Sequence, residues 1–275
     1  MLAIEPPPTL LQTMRLQDQV ILITGSTTGI GDHMARRFNK EAAKVLLDGR
    51  DAARGEALRK ELGEDKAAFC QGSLEDAAYP EKLAANAIAA FGRVDALVNN
   101  AALTIRGRID TTDAAFFDRM MAVNARAPML LIRALLPELK KNTGVVLNIG
   151  SVLAHCGQAN MLAYSMSKGA LMTMTRNLAD SLGMDRVRVN QLNVGWTLSD
   201  NEYQVKIGDG LGEGWPERLP ASVVPMGRLL MPDDIAAACV YWVGRESYPV
   251  TGTVAELEQY PIIGRYANAE GDEKK

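Results

Sequence analysis

Tyr164 and Lys168 stand four residues apart in "YSMSKGAL", a stretch that otherwise reads as the first turns of a packed helix. Residues at that spacing share one helix face, so the phenol and the ammonium can point into the same cleft. A free tyrosine, with a pKa of about 10, is a poor base at neutral pH. A nearby ammonium stabilises the phenolate and draws that pKa toward the working range, which general acid-base catalysis requires. Taken alone, a Tyr-Lys pair is as readily a surface pair. Ser151 changes that balance, because it ends the strand-like run "GVVLNIGS" thirteen residues before the tyrosine, where a sheet edge would meet the helix start.

A second constellation lies near the other end of the chain. "TGSTTGIG", residues 24 to 31, follows the apolar run "VILI" and opens a helix, placing Gly25, Gly29 and Gly31 at the turn. Glycine lets backbone come close to a pyrophosphate, and a helix N-terminus adds free N–H groups and a favourable dipole. Glycine turns also occur for purely conformational reasons. Here the strand-turn-helix setting favours the anion-binding reading.

The elements that must position these groups follow from residue 19 onward. Short β-branched runs ("QVILITG", "KVLLDGR", "AAFCQGS", "VDALVNNAA", "GVVLNIGS", "VRVNQLNVG") alternate with longer amphipathic ones. The stretch "DAAFFDRMMAVNARAPMLLIRALLPELKK" reads as one continuous helix. Buried parallel strands joined by crossover helices give this alternation, so an α/β fold is expected, a doubly wound parallel sheet with helices on both faces. Ligands of such sheets bind beyond the carboxyl ends of the strands. Residues 197–222, with four glycines, two prolines and Trp215, break the rhythm and are expected to form an irregular lid or binding loop. "VTGTVAELEQYP" supplies a last strand. One domain over 17–262 is expected, with an N-terminal extension, 1–16, and a C-terminal tail, 263–275.

The motifs resemble those of the short-chain dehydrogenases/reductases over roughly residues 17 to 255. The glycine turn matches that family's TGxxxGIG, "NNAA" at 99–102 matches NNAG, and Asn124, Ser151 and "YSMSK" follow in the family's order. The resemblance implies a single-domain Rossmann-type fold and hydride transfer between a nicotinamide cofactor and an alcohol or carbonyl. It further implies that Tyr164 exchanges the proton, that Lys168 lowers the tyrosine pKa and holds the nicotinamide ribose, and that Ser151 bonds the reacting oxygen. Asn124 would keep a water in the proton path, although an asparagine within a helix can also merely bend it. Cofactor contacts are implied for Gly25, Ser26, Thr28, Gly29, Ile30 and Gly31, for Ser73 and Leu74, for Asn100, Ala101 and Ala102, and for Gly195, Thr197 and Ser199.

Departures from the family's pattern are informative. Ala102 stands for the last glycine of NNAG, Val194 for the proline before Gly195, and Ser73-Leu74 for the usual Asp-Val. In "VLLDGRD", family spacing puts Gly49 where an NAD enzyme carries the acid that binds the ribose diol, and Arg50 follows, suited to a 2′-phosphate. NADP(H) is therefore favoured. Asp48 is expected to face away from Arg50. Asp51 beside Arg50, and a glycine turn without a basic residue, keep NAD(H) open.

For the substrate, the segment after the serine offers His155, Gln158 and Asn160, and the long loop offers Trp196, Asn201, Glu202 and Trp215. At the carboxyl edge the family's usual DGG is replaced by Glu258, Gln259 and Tyr260, loosely like the tail of bacterial glucose dehydrogenases. Polar groups in such number suit a sugar, polyol or sugar acid, since each hydroxyl stripped of water without a partner costs about 1–3 kcal/mol. A 3-oxoacyl-thioester reductase is the alternative within enzymes, set back by a long loop in which acids outnumber bases. A catalytically silent dinucleotide-binding sensor is the alternative outside them.

Composition narrows the partners. The 275 residues are 47% hydrophobic and 23% charged, with a formal net charge of −3, which argues against a nucleic-acid surface or an anionic membrane. No apolar run nears the ~18 residues of a membrane span. Three scattered cysteines fit a reduced, cytoplasmic protein better than a disulfide framework, and two histidines do not make a metal centre. The helix from 164 resembles the family's oligomer-forming helix, which implies a homotetramer acting on a small-molecule substrate.

Overall fold

The computed structural model describes residues 14–262. Seven strands, β1 (Val20–Ile23), β2 (Lys44–Gly49), β3 (Ala67–Gln71), β4 (Ala96–Asn99), β5 (Val145–Ser151), β6 (Arg188–Val194) and β7 (Val254–Leu257), form one sheet in the order β3-β2-β1-β4-β5-β6-β7. Every pairing is parallel. The helices are α1 (Gly29–Lys40), α2 (Ala52–Leu62), α3 (Tyr79–Phe91), α4 (Ala114–Met121), α5 (Ala127–Asn142), α6 (Leu153–Cys156), α7 (Leu162–Ser181), α8 (Asp200–Gly208) and α9 (Pro232–Val243).

Strand alternation builds two cores from consecutive residues. Ile21 and Ile23 point to the face covered by Met34, Ala35 and Phe38 of α1 and by Ile235, Cys239 and Val240 of α9. Leu22 between them points to the opposite face, covered by Leu83 and Ala87 of α3 and Leu131, Leu135 and Leu139 of α5. Both faces being covered, the strands read in sequence as unbroken apolar runs. Leu16, assigned in the sequence to the extension, is fully buried in the first of these cores, so the folded unit begins before residue 17.

The chain crosses from β1 to β2 and β3 on one side, then returns to β4 on the other. The carboxyl ends of β1 and β4 therefore diverge and leave a crevice, the place where sheets of this kind take ligands.

Two expectations about elements need correction. The helix drawn through 113–141 is interrupted: α4 ends at Met121, a π-turn spans Ala122–Arg126, and α5 begins at Ala127. The segment 197–222 is not an irregular loop. It holds α8, capped where the Ser199 hydroxyl accepts from Glu202 N at 3.2 Å, and its Trp215 is buried in a small core with Val224 and Leu229 from the stretch that follows.

Candidate active site

The glycine turn is a tight piece of backbone. Gly25 (φ 61°) and Gly29 (φ 55°) lie in the left-handed region that L side chains rarely adopt. A Cβ on Gly31 would stand 2.2 Å from the Gly25 carbonyl oxygen, so only glycine lets α1 start so close to the turn. Asn100 ties β4 to the same turn, its Nδ2 donating to Thr24 O (2.9 Å) and Gly25 O (3.1 Å), and the Thr24 hydroxyl accepts from Ala101 N at 3.0 Å. Thr28 at the head of α1 makes no side-chain cap, and a Cβ on Gly29 would meet nothing within 4 Å, so the start of the helix faces open space.

That space is a cleft of about 1490 Å³ running along the carboxyl edge of the sheet. Its walls include Gly25, Thr28, Gly29 and Ile30 at one end, Asn100, Ala101 and Ala102 in the middle, and Ser151, Tyr164, Lys168, Gly195, Trp196, Thr197, Ser199 and Glu258 beyond. Ser26 and Gly31 are not in the wall. Ser26 is buried, donating its backbone N–H to Asp48 O (2.9 Å) and accepting from Asp48 N through its hydroxyl (2.9 Å), so it shapes the turn from behind. Thr27, which the sequence reading passed over, does line the cleft.

At the end of β2, Asp48 is buried with its carboxylate under the turn, accepting from Gly25 N at 3.0 Å and from the Tyr79 hydroxyl at 2.7 Å. Burial raises its pKa to about 6, partly offset by those two hydrogen bonds. The strand stops at Gly49, and Arg50 lies past it, exposed, so strand alternation does not govern how Arg50 is directed relative to Asp48. A Cβ on Gly49 would meet the Thr27 hydroxyl at 2.6 Å, so Thr27 occupies the space an acidic side chain would enter by. Arg50 and Arg54 both line this end, Arg54 paired with Asp51 at 3.5 Å, and Ser73 and Leu74 form the opposite wall. An uncapped helix start, a glycine cradle and a cleft this long fit a dinucleotide with its phosphates at the turn.

At the other end, Ser151 closes β5, its hydroxyl accepting from Leu153 N at 3.2 Å, and it shares the cleft wall with Tyr164. Lys168 is buried one turn further along α7, donating to the Ile149 carbonyl oxygen at 2.7 Å with its ammonium 5.7 Å from the Tyr164 ring centroid. The electrostatics differ from the expected lowering of the tyrosine pKa. Burial raises Tyr164, the Ser151 hydrogen bond pulls it back, and the charge of Glu202 raises it further. Burial also lowers Lys168 to about 8, because a single carbonyl replaces the water the ammonium has lost.

Asn124 lies in the π-turn, buried behind the cleft. Its Oδ1 accepts from Leu103 N (2.8 Å), and its Nδ2 donates to Leu103 O (2.9 Å) and to the Ser167 hydroxyl (3.0 Å). With both amide hydrogens spent on the scaffold, its side chain fastens the loop after β4 to α7.

The substrate candidates divide. His155 is turned from the cleft, its Nε2 3.1 Å from Asn193 Nδ2 and 3.3 Å from Glu256 Oε1. Asn160 is outside the wall as well, its carbonyl accepting from Gly107 N at 3.0 Å. Trp215 is the buried centre of the small core, stacked on Trp196 at 5.4 Å between centroids and 14° between planes. Glu258 does line the cleft, but its carboxylate accepts from Trp196 N (3.1 Å) and Gln259 N (2.7 Å), clipping the end of β7 to the strand opposite. A Cβ on Gly195 would lie 1.9 Å from that carboxylate, so the glycine leaves Glu258 room to take this position. Gln158, Asn201 and Glu202 reach the cleft.

A parallel sheet with its glycine turn, crevice and Ser-Tyr-Lys group at one carboxyl edge is the arrangement of a dinucleotide-dependent α/β oxidoreductase. Comparison with known proteins specifies which. Residues 19–208 match the family model for short chain dehydrogenase. The chain is 30% identical over 237 residues to L-fucose dehydrogenase of Mus musculus, covering 85% of each protein. It is 32% identical over 246 residues to the NADP-dependent (R)-specific alcohol dehydrogenase of Lentilactobacillus kefiri, covering 87% of this chain and 95% of that protein. The crystal structure of 3-ketoacyl-(acyl-carrier-protein) reductase from Brucella melitensis, complexed with NADH, matches with a TM-score of 0.78 and 31% identity over 88% of this chain and 97% of that one. The chain belongs to the short-chain dehydrogenase family, and it is an NAD(P)-dependent oxidoreductase.

Proposed function

We propose that the enzyme interconverts a secondary alcohol, or a hemiacetal, and a carbonyl on a sugar, polyol or sugar acid, with Tyr164 exchanging the proton. The observation that carries this reading is the meeting of Ser151 and Tyr164 at the cleft wall, with the buried Lys168 ammonium 5.7 Å from the centroid of the tyrosine ring. When bound, the nicotinamide gives or takes the hydride. Ser151 holds the reacting oxygen, and Tyr164, kept protonated by burial, donates to it as a carbonyl is reduced. Lys168 holds the ribose and supports charge on the phenol as the proton leaves. Asn124 is a positioning residue, acting through Leu103 and Ser167.

In this reading the glycine turn, Asn100, Ala101, Ala102, Leu74 and the segment 195–199 hold the dinucleotide. NADP(H) is supported by Arg50 and Arg54 in the wall and by Thr27 over Gly49, where an acid for a ribose diol would otherwise stand. A sugar or polyol is supported by the polar wall of Gln158, Asn201, Glu202 and Glu258, and by the likeness to L-fucose dehydrogenase. The likeness to the Brucella reductase favours a second reading, reduction of a 3-oxoacyl thioester. Met129 on α5 and Met166 on α7, both exposed, support assembly into a homotetramer through those helices.

The test is a spectrophotometric screen with NADPH, NADP, NADH and NAD against sugars, polyols, simple ketones and a 3-oxoacyl thioester. Turnover concentrated among sugars and polyols is the expected result. A preference for the thioester or for apolar ketones over every sugar and polyol contradicts the substrate assignment.

A further inference from the structure

Glu202 is on the first turn of α8, which packs over the substrate half of the cleft. Its Oε1 accepts from the Trp196 indole N–H at 2.9 Å, and Trp196 is itself fixed by stacking on the buried Trp215 and by the bond from its backbone N–H to Glu258. The carboxylate is therefore held in one orientation on the wall. Its charge is felt at the Tyr164 hydroxyl, where it works against the phenolate. Glu202 and Tyr164 line the same cleft, so a substrate whose reacting oxygen meets Tyr164 has this carboxylate on the wall beside it.

The groups around Glu202 decide what charge a ligand there can carry. Lys206, one turn along α8, has its ammonium 3.9 Å from Glu202 Oε1, 3.5 Å from Asp209 Oδ2 and 5.1 Å from the centroid of the Trp196 ring. Arg106, from the loop after β4, is paired with Asp209 across the cleft mouth. A cationic ligand would meet Lys206 where it would need to sit. An anionic one would meet Glu202 beside the reacting group and find Lys206 and Arg106 already engaged. An uncharged hydroxyl, which donates to a carboxylate and brings no charge, meets neither obstacle.

We propose that Glu202 is the residue that selects the substrate. Its carboxylate accepts a hydrogen bond from a hydroxyl on the carbon next to the one oxidised or reduced, so the site takes uncharged vicinal diols and hydroxy ketones and turns away hydroxy acids. This rests on the oxidoreductase reading above and narrows it, removing sugar acids from the substrate class.

The test compares wild type and Glu202→Gln on a vicinal butanediol, the matching secondary butanol and the matching hydroxybutyrate. Glutamine keeps the bond from Trp196 through its one oxygen and turns an amide nitrogen toward the ligand. The variant should lower the plateau kcat/KM for the diol about tenfold or more, mainly through KM, leave the plateau value for butanol within about twofold, and improve the hydroxybutyrate. Quenching of Trp196 fluorescence should report the same weakening of diol binding. The limb along which butanol oxidation rises with pH should also move to lower pH, because the negative charge that raises Tyr164 is gone. Equal losses on diol and butanol with an unmoved pH profile would reduce Glu202 to a support for Trp196 and overturn the assignment. Failure of wild type to turn over any alcohol or carbonyl with either cofactor would overturn the substrate reading of the cleft, and this assignment with it.

Discussion

The Lys168 ammonium lies 5.7 Å from the centroid of the Tyr164 ring and 2.7 Å from the Ile149 carbonyl oxygen, so it sits against the phenol ring, bonded to the carboxyl end of β5. Burial leaves the pair with shifts in opposite directions, Tyr164 up and Lys168 down to about 8. In the free enzyme the lysine is thus the first of the two to lose its proton as pH rises.

A pH profile of kcat/KM for carbonyl reduction, which reports groups of the free enzyme, should consequently fall above about pH 8. In Lys168→Arg the limb should vanish from the accessible range, because a guanidinium keeps its charge, even if the plateau is much lower. A wild-type profile flat to well above pH 9 would show that the ammonium is not required.

Cofactor choice turns on the end of β2. Arg50→Ala should lower kcat/KM for NADPH by about tenfold or more, the worth of a charge-assisted hydrogen bond to a phosphate, and change that for NADH little. Steady-state kinetics with both cofactors checks this. Equal losses, or a preference for NADH in the wild type, would reverse the assignment.

Asp48 makes a prediction about stability. Its carboxyl titrates at about 6 in the folded chain against about 3.8 unfolded, so between those pH values the folded state binds more protons. Stability from this group is present below about pH 4 and is lost as pH rises through 6, by about 3 kcal/mol at 1.36 kcal/mol per pKa unit. Melting temperatures of wild type and Asp48→Asn across pH 4–7 should converge toward the acid end and separate toward neutrality in the variant's favour, beyond any constant offset from the altered bonds to Gly25 and Tyr79. Parallel curves would mean that Asp48 does not titrate in this window.

Much of the fold was legible because buried parallel strands announce themselves: Ile21, Leu22 and Ile23 are all apolar since both faces of the sheet are covered. The glycine turn and the Tyr164-Lys168 spacing were legible because each depends on local geometry. What was hidden depends on partners distant in sequence. The π-turn at Ala122–Arg126 is made of ordinary helix formers and is fastened by Asn124 to Leu103 and Ser167. His155 reads as a ligand-facing group until Asn193 and Glu256, from β6 and β7, claim its ring. Helix α8 was masked by the glycines after it, and by an apolar face limited to Tyr203 and Ile207 against the small core. Trp215 could have signalled that core, as a large aromatic among glycines more often anchors a segment than faces water.

The most direct test of the central claim is Tyr164→Phe, which keeps the ring and removes the proton. Under saturating cofactor, turnover of the best substrate should fall by about 10²–10⁴-fold, while titration of the reduced nucleotide by fluorescence shows affinity within about threefold of wild type. A variant that keeps a large fraction of wild-type turnover would contradict the account, because the proton would then be passing through some other group.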